Sequence, residues 1–288
     1  MAATSALSNN ANRESDLPLE TATNASDNRQ SSQRQPGVVD LATTAVIIPA
    51  LNEADNLAIL LPSLSAMNIR QIIVADNGST DATAQTAIQI GAEVASAPKR
   101  GYGAACQAGI ARLRPEIDIV AFLDADQSDD HTLLPRLVEP IQSGAMDLML
   151  TARVKHLRRP GSMTIPQALG TGLAVLLIRL GWRRGYQDLG PFRAIRRSSL
   201  DQINMQDQAF GWTVEMQIRA VEEDLRIQEI EAPYFRRSGR SKISGTIKGI
   251  FLAGYWILRT CTALYLTKSK RRIRTLHGSG EHVRHGAR

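Results

Sequence analysis

Ile119-Val120-Ala121-Phe122-Leu123-Asp124-Ala125-Asp126 is an apolar run that stops on two carboxylates one residue apart. The apolar part reads as a buried strand. At its end, Asp124 and Asp126 can share a divalent cation. Hard carboxylate oxygens suit Mg2+ or Mn2+, and such a metal usually bridges to substrate phosphates. Asp-x-Asp alone also describes a solvated acidic loop, so its meaning rests on its surroundings.

Upstream, strand and helix patterns alternate. Ala45-Val46-Ile47-Ile48, Gln71-Ile72-Ile73-Val74-Ala75 and Glu93-Val94-Ala95 read as strands. Between them, Ala54 to Met67 repeats apolar residues at helical spacing (Leu57, Leu60, Leu61, Leu64), and Asp81 to Ile90 reads as a helix with Ser79 or Thr80 placed to cap it. Ala104 to Leu113 supplies the helix before the Ile119 strand. This alternation predicts an α/β fold, a mostly parallel sheet covered by helices on both faces. In such sheets ligands sit beyond the carboxyl ends of the strands. Asn52 and Glu53, Asp76, and Asp124 with Asp126 all fall at those ends.

Further on, Leu148-Met149-Leu150 reads as a strand, Pro166 to Trp182 as a strongly apolar helix and Gly190 to Ile195 as an extended return to the sheet. Trp212 to Glu223 is predicted helical and Leu225 to Ile230 a strand.

The chain has 288 residues, 43% of them hydrophobic, enough for a sizeable core in one large or two small domains. A net charge of +6 points to an acidic partner. Aromatic residues are few and no nucleic-acid-binding motif accompanies the charge, so phosphates and anionic lipid are favoured over nucleic acid. Cys106 and Cys261 are far apart and lack partners at metal-ligand spacing, which fits a reducing, cytoplasmic compartment. No basic segment followed by an apolar core opens the chain, so no signal peptide is expected.

Three segments together carry a family resemblance: Val46-Ile47-Ile48-Pro49-Ala50-Leu51-Asn52-Glu53, Val74-Ala75-Asp76-Asn77-Gly78-Ser79-Thr80-Asp81 and Asp124-Ala125-Asp126. In order and spacing they resemble the family 2 glycosyltransferases of GT-A fold. Asp188-Leu189-Gly190-Pro191-Phe192-Arg193 and Tyr234-Phe235-Arg236-Arg237-Ser238-Gly239-Arg240-Ser241-Lys242 look like the branch of dolichyl-phosphate mannose and glucose synthases. The resemblance implies an enzyme that moves one hexose from a UDP- or GDP-linked sugar to a polyprenyl phosphate, inverting the anomeric centre. It implies that Pro49, Ala50, Asn52 and Glu53 line the nucleoside, and that Asp76 meets base or ribose. The family usually has two acids where this chain has Asp76-Asn77, which leaves the base open. Asp124 and Asp126 then hold the metal on the diphosphate. The branch often adds a Gln two places after the second Asp; here Gln127 comes one place early and Ser128 stands in that position.

Lys99-Arg100-Gly101-Tyr102-Gly103 precedes a helix, where glycines let backbone approach a ligand and the helix start favours an anion. Arg100 is therefore a substrate-binding candidate. A lipid phosphate is already a nucleophile and needs cations to hold it in line rather than a strong base. By resemblance, Arg153, Arg236 and Lys242, with Ser241 beside them, bind donor diphosphate and acceptor phosphate. Asp188 and Glu215 can bind sugar hydroxyls or act as base for a hydroxyl acceptor. The alternatives are a soluble hydroxyl acceptor, or a nucleotide- or lipid-binding module without catalysis.

The expected organisation is a disordered tail over 1–40, poor in large apolar residues, a GT-A domain over 41–243, an amphipathic helix over 244–268 and a basic tail over 269–288. The Gly249 to Leu266 stretch is interrupted by Arg259 and falls short of the ~20 apolar residues of a membrane span. It either lies in a membrane interface, with Lys268, Lys270, Arg271 and Arg272 near anionic headgroups, or packs on the domain. Ala168 to Leu180 is a second candidate for lipid contact. Attachment to a membrane surface is expected to be peripheral, on the cytoplasmic face.

Overall fold

Strand β1 (Thr44–Ala50) pairs in parallel with β2 (Gln71–Asp76), from Ala45 opposite Gln71 to Ala50 opposite Asp76. On its other side β1 pairs in parallel with β4 (Ile119–Phe122). Both faces of these strands pack against helices, which explains their unbroken apolar character. The computed structural model describes residues 39–238 and 254–268. Ser241, Lys242, the start of the expected amphipathic helix and both tails lie outside the described residues, apart from Val39 and Asp40.

The seven-stranded sheet has the order β3-β2-β1-β4-β6-β5-β7, with β3 Glu93–Ser96, β5 Leu148–Arg158, β6 Arg193–Arg196 and β7 Ile227–Tyr234. Helices α1 (Ala54–Ser65), α2 (Thr83–Gln89) and α3 (Tyr102–Ile110) connect the parallel strands, and α4 (Leu134–Gln142) leads from β4 towards β5. The expected return of Gly190 to Ile195 is β6, antiparallel to both β4 and β5. The chain builds outwards from β1 to β3, then reverses to place β4 on the opposite side of β1. That reversal opens a crevice at the carboxyl ends of β1 and β4, where open α/β sheets take ligands.

Alternating side chains sort the core into two layers. Val46 and Ile48 pack with Leu57, Leu61 and Leu64 of α1 and Leu137 and Ile141 of α4. Ala45 and Ile47 face the other layer, with Ala105 and Cys106 of α3, Ile178 and Trp182 of α5 (Ile165–Trp182), and Val214 and Ile218 of α7 (Trp212–Glu222). The short α6 (Arg197–Ile203) follows β6. The described C-terminal helix, α8 (residues 254–268), adds Cys261 to this layer.

Two local expectations are corrected. Helix α2 begins at Thr83, and its N-cap Ala82 makes no side-chain cap bond. Ser79 instead donates to Asp76 and accepts from the Asn52 amide, while the Thr80 amide donates to Asn52 Oδ1. Both residues brace the β1 and β2 ends against each other. The second concerns length: α5, with 18 residues, is long and apolar enough to cross a membrane, though no span is expected from the sequence. One side of it is committed to the domain, because Ala174, Ile178 and Trp182 are buried.

Candidate active site

A cavity of about 290 Å³ opens at the β1/β4 crevice. Pro49, Ala50, Leu51 and Glu53 line it from the end of β1, and Asn77 and Arg100 from beyond β2 and β3. Tyr102 and Ala105 of α3, Asp124, Ala125 and Asp126 beyond β4, and Phe210 and Arg237 from later in the chain complete the wall. Pro49, Ala50 and Glu53 of the first motif, Arg100 and the aspartate pair thus converge on one opening.

Asp124 and Asp126 follow β4 directly, so the strand fixes where both carboxylates emerge. Burial, and then repulsion from Asp126, push the Asp124 carboxyl up to about 6, while Arg237 opposes the shift. Tyr102 donates a hydrogen bond to Asp124 Oδ1 at 3.0 Å and fixes its orientation. Asp126 accepts from the Ser128 amide at 2.9 Å and from Arg237 Nε. The segment after β7 runs back over this turn: the Phe235 amide donates to Ser128 O and the Ser238 amide to Asp126 O. Two hard carboxylates on one cavity, Asp124 destabilised by Asp126 and Asp126 already drawing a guanidinium, fit a divalent cation. Among the described residues, no group of three or more Asp, Glu, His or Cys side chains is placed to hold a metal together. The fit is therefore to a cation that completes its shell with substrate phosphates and water.

The remaining expected residues divide. Asn77 holds the Arg100-Gly101 turn by donating to Lys99 O and accepting from the Gly101 amide. Asp76 is turned towards Ser79 and does not line the cavity. Asn52, at φ +54°, spends its side-chain oxygen on the Thr80 amide and also lies outside the lining. Gln127 reaches Asn56 instead of the aspartates. Arg236 is exposed and packs over Gly161, whereas its neighbour Arg237 enters the cavity.

Neither acid expected to serve as a base faces the cavity. Asp188 receives Arg153 Nε at 2.6 Å, Arg153 Nη2 at 3.0 Å and the Arg153 amide at 3.0 Å. Burial raises its carboxyl, but the Arg153 charge and hydrogen bonds win and hold it below the usual carboxylate range. Tyr234 stacks on the same guanidinium, 4.9 Å from ring centroid to Arg153 Cζ. Glu215 accepts from the amides of Gln206 and Asp207 and pairs with Arg219 at 2.7 Å. Its work is to hold the segment 206–211, which carries Phe210 into the cavity wall. Both carboxylates are engaged within the fold and neither lines the cavity where a sugar hydroxyl or an acceptor was expected to meet them. Arg153, locked between Asp188 and Tyr234, likewise does not line the cavity.

Four residues are added by the structure: Tyr102, Phe210, Arg237 and Asp129. Asp129 is 5% exposed, three residues after Asp126, and bridges in antiparallel fashion to Tyr234. Burial and then the nearby Asp124 push its carboxyl up to about 8, against the pull of Arg153. Tyr102 lies in the Lys99 to Gly103 run and Arg237 in the basic run after Tyr234, whereas nothing local in the sequence marks Phe210 or Asp129.

The model of the family described as "Glycosyl transferase family 2" matches residues 45–203. An uncharacterized glycosyltransferase of Mycobacterium tuberculosis is 37% identical over 212 residues, 72% of this chain and 93% of the relative. The undecaprenyl-phosphate mannosyltransferase of Micrococcus luteus is 29% identical over 223 residues, 70% of this chain and 88% of that enzyme. Among solved structures, glucosyl-3-phosphoglycerate synthase of Mycobacterium tuberculosis, in complex with Mn2+, UDP and glucosyl-3-phosphoglycerate, is similar with a TM-score of 0.60. It is 25% identical, and the match covers 76% of this chain and 80% of that one. The chain belongs to glycosyl transferase family 2 and is a glycosyltransferase built on the GT-A sheet.

Proposed function

We propose that the protein transfers one hexose from a UDP-linked sugar to a polyprenyl phosphate at a membrane surface, with inversion at the anomeric carbon. The observation that carries the acceptor is the apolar surface of α5 and α8. Among the described residues twelve large hydrophobic side chains are exposed, and nine of them lie on these two helices. Ile165, Leu169, Leu173, Leu176 and Leu180 form a stripe along α5, and Tyr255, Leu258, Tyr265 and Leu266 belong to α8. Neither helix contains an acidic residue, while Arg179, Arg259 and Lys268 are cationic. An apolar face with cations and no anions suits an anionic lipid surface. The helices brace each other through Trp182 and Tyr265, whose rings meet edge-on at 6.0 Å. The similarity to the undecaprenyl-phosphate mannosyltransferase supports the same acceptor class.

The donor reading rests on the cavity and on the similarity to a synthase crystallised with Mn2+ and UDP. Glu53, Asn77 and Arg100 border the nucleoside end, and Asp124 and Asp126 hold a Mg2+ or Mn2+ ion. When bound, that ion acts as a Lewis acid that neutralises charge on the departing diphosphate. Tyr102 keeps Asp124 oriented, and Arg237 supplies a guanidinium suited to phosphate oxygens. A phosphate oxygen of the acceptor attacks the anomeric carbon as the bond to the diphosphate breaks. Because that oxygen is already anionic, no general base is required, which agrees with the engaged state of Asp188 and Glu215.

A second reading has a soluble phosphorylated acceptor, and the fold similarity to glucosyl-3-phosphoglycerate synthase favours it. The deciding experiment gives the purified full chain UDP- and GDP-hexoses with Mn2+ or Mg2+. Undecaprenyl phosphate in vesicles and phosphoglyceric acid in solution are the competing acceptors. Lipid-linked sugar is the expected product; exclusive glycosylation of the soluble acid overturns the lipid reading.

A further inference from the structure

Helix α8 meets the domain along one stripe. Ile257, Thr260, Cys261 and Leu264 recur at i, i+3, i+4 and i+7, and of these Thr260 and Cys261 are buried. Thr260 is the polar member of an otherwise apolar seam, so packing alone does not call for it. Its hydroxyl donates to Asp207 Oδ2 at 3.2 Å. The other oxygen, Asp207 Oδ1, accepts from the Ala209 amide at 2.7 Å. Gly211 makes room for this contact: a methyl group there would run into both Thr260 Oγ1 and Asp207 Oδ2. Asp207, Ala209 and Gly211 flank Phe210, which lines the donor cavity. One side chain of α8 is thus tied to the backbone on either side of a cavity residue.

The same segment also fixes the start of α3. The carbonyls of Ala209 and Gln208 accept from the Gly103 and Ala104 amides. That turn begins with Tyr102, which lines the cavity and orients Asp124. The outer face of α8 carries the exposed Tyr255, Leu258, Tyr265 and Leu266, the face assigned above to an anionic lipid surface. A helix with so few buried residues is loosely held, and contact with a membrane reduces that freedom. Ordering already brought about by one ligand is not required again by the next, which then binds more tightly. We propose that Thr260 is a positioning residue that couples the two sites. Seating α8 on an anionic membrane settles the 206–211 segment through Asp207 and raises the affinity of the donor cavity for the nucleotide. This rests on the membrane and donor readings given above. Linkage makes the coupling reciprocal, so the nucleotide raises membrane affinity by the same factor.

The test titrates UDP into the full chain by calorimetry, with and without phosphatidylglycerol vesicles, Mg2+ being saturating in both arms. Vesicle co-sedimentation is measured with and without UDP. In the wild type, vesicles are expected to tighten UDP binding about 5-fold or more, and UDP to tighten vesicle binding by an equal factor. Thr260→Val removes the hydroxyl at nearly constant volume. It is expected to bind vesicles as the wild type does, since residue 260 faces the domain, while both effects disappear. Lost stability alone would lower UDP affinity equally with and without vesicles. Thr260→Ser keeps the hydroxyl and is expected to retain the coupling. Hydrogen exchange on the wild type covers the case in which Thr260→Val does not fold: vesicles are expected to slow exchange at the Gly103, Ala104 and Ala209 amides as well as on α8. UDP affinity indifferent to bound vesicles, coupling that survives in folded Thr260→Val, or slowed exchange confined to α8 overturns the proposal alone. A wild type that binds no vesicles removes the membrane reading, and one that binds no UDP removes the donor reading; either takes the proposal with it, and the two single-ligand controls tell them apart.

Discussion

Arg237 Nε pairs with Oδ2 of Asp126, so a guanidinium from beyond β7 reaches the second carboxylate of the strand-end pair. The carboxylate is nearly buried, with 3% of its side chain exposed, while the arginine is 34% exposed. In the metal-free protein this arginine offsets charge that a divalent cation offsets in the loaded one. Arg237→Met is expected to destabilise the metal-free protein by about 1–3 kcal/mol, less than the ~3–5 kcal/mol of a fully buried broken pair because Arg237 is solvated. Saturating Mn2+ is expected to restore the loss, giving a larger Tm increase than in the wild type. Equal Mn2+-induced shifts in both proteins would show that the two cations do not share Asp126.

The Asp188–Arg153 clamp is the better-buried pair, at 1% and 11% side-chain exposure. Asp188→Asn leaves a buried guanidinium without its counter-charge and is expected to cost about 3 kcal/mol, measured by denaturant unfolding. Combining it with Arg153→Met is expected to recover most of that, because the buried charge is gone. A base role for Asp188 predicts instead that Asp188→Asn abolishes turnover at unchanged stability.

The sheet was legible because its strands are buried on both faces, so apolar runs and helical spacing alternate plainly from Ala45 to Leu123. Glu53, Arg100, Asp124 and Asp126 were legible because strand ends determine where they emerge. The partners of those residues were not. Asp188 and Glu215 look like free acids in sequence, yet each is consumed by an arginine and by backbone amides that only the folded chain supplies. Arg236 and Arg237 are indistinguishable as neighbours in a basic run; the direction of the backbone leaving β7 sends one over Gly161 and the other into the cavity. Asp129 lies three residues from the motif, and its isolation depends on Tyr234, more than a hundred positions away.

Asp124 and Asp129 set the pH dependence of the metal-free protein. Their carboxyls sit at about 6 and about 8, against 3.8 for the ordinary group. The folded chain therefore holds more protons than the unfolded one between roughly pH 4 and 8, and stability falls as pH rises through that window. The EDTA-treated protein is expected to melt higher at pH 5.5 than at pH 8, and Mn2+ is expected to flatten the difference by stabilising the ionised acids. Asp188 acts in the opposite sense: its contribution is complete above the ordinary carboxylate range and lost only as pH falls below it. A Tm in EDTA that rises between pH 5.5 and 8 would remove the acidic cluster as the source.

On the membrane reading, the α5 stripe contributes to lipid binding without contributing to the core. Leu169 is 70% and Leu173 44% exposed. Leu169→Asp combined with Leu173→Asp is expected to change stability by no more than about 1 kcal/mol. Burying a leucine is worth ~1.5–3 kcal/mol, so the pair is expected to lower partitioning onto phosphatidylglycerol vesicles at least ~10-fold in co-sedimentation. Unchanged partitioning would move the contact elsewhere, and a shift from dimer to monomer would assign the stripe to a second copy of the chain.

Gly103 ties the donor cavity to the segment that carries Phe210. The Gly103 amide donates to Ala209 O at 3.1 Å and the Ala104 amide to Gln208 O at 3.0 Å, so the first turn of α3 is satisfied by backbone carbonyls of that segment. A methyl group at Gly103 would run into Asp207 O and lie 2.9 Å from the Asp207 carbonyl carbon. These are backbone atoms, and Glu215 and Thr260 hold the same segment from the other side through the Asp207 amide and carboxylate. Gly103→Ala is therefore expected to cost about 1–3 kcal/mol and to weaken UDP binding several-fold by displacing Phe210. Gly170→Ala provides the contrast: its added methyl meets nothing within 4 Å on α5, and it is expected to be neutral or stabilising by up to about 1 kcal/mol. Calorimetric titration of UDP and thermal melts on both variants check the pair. Unaltered UDP affinity in Gly103→Ala would detach the 206–211 segment from the donor site.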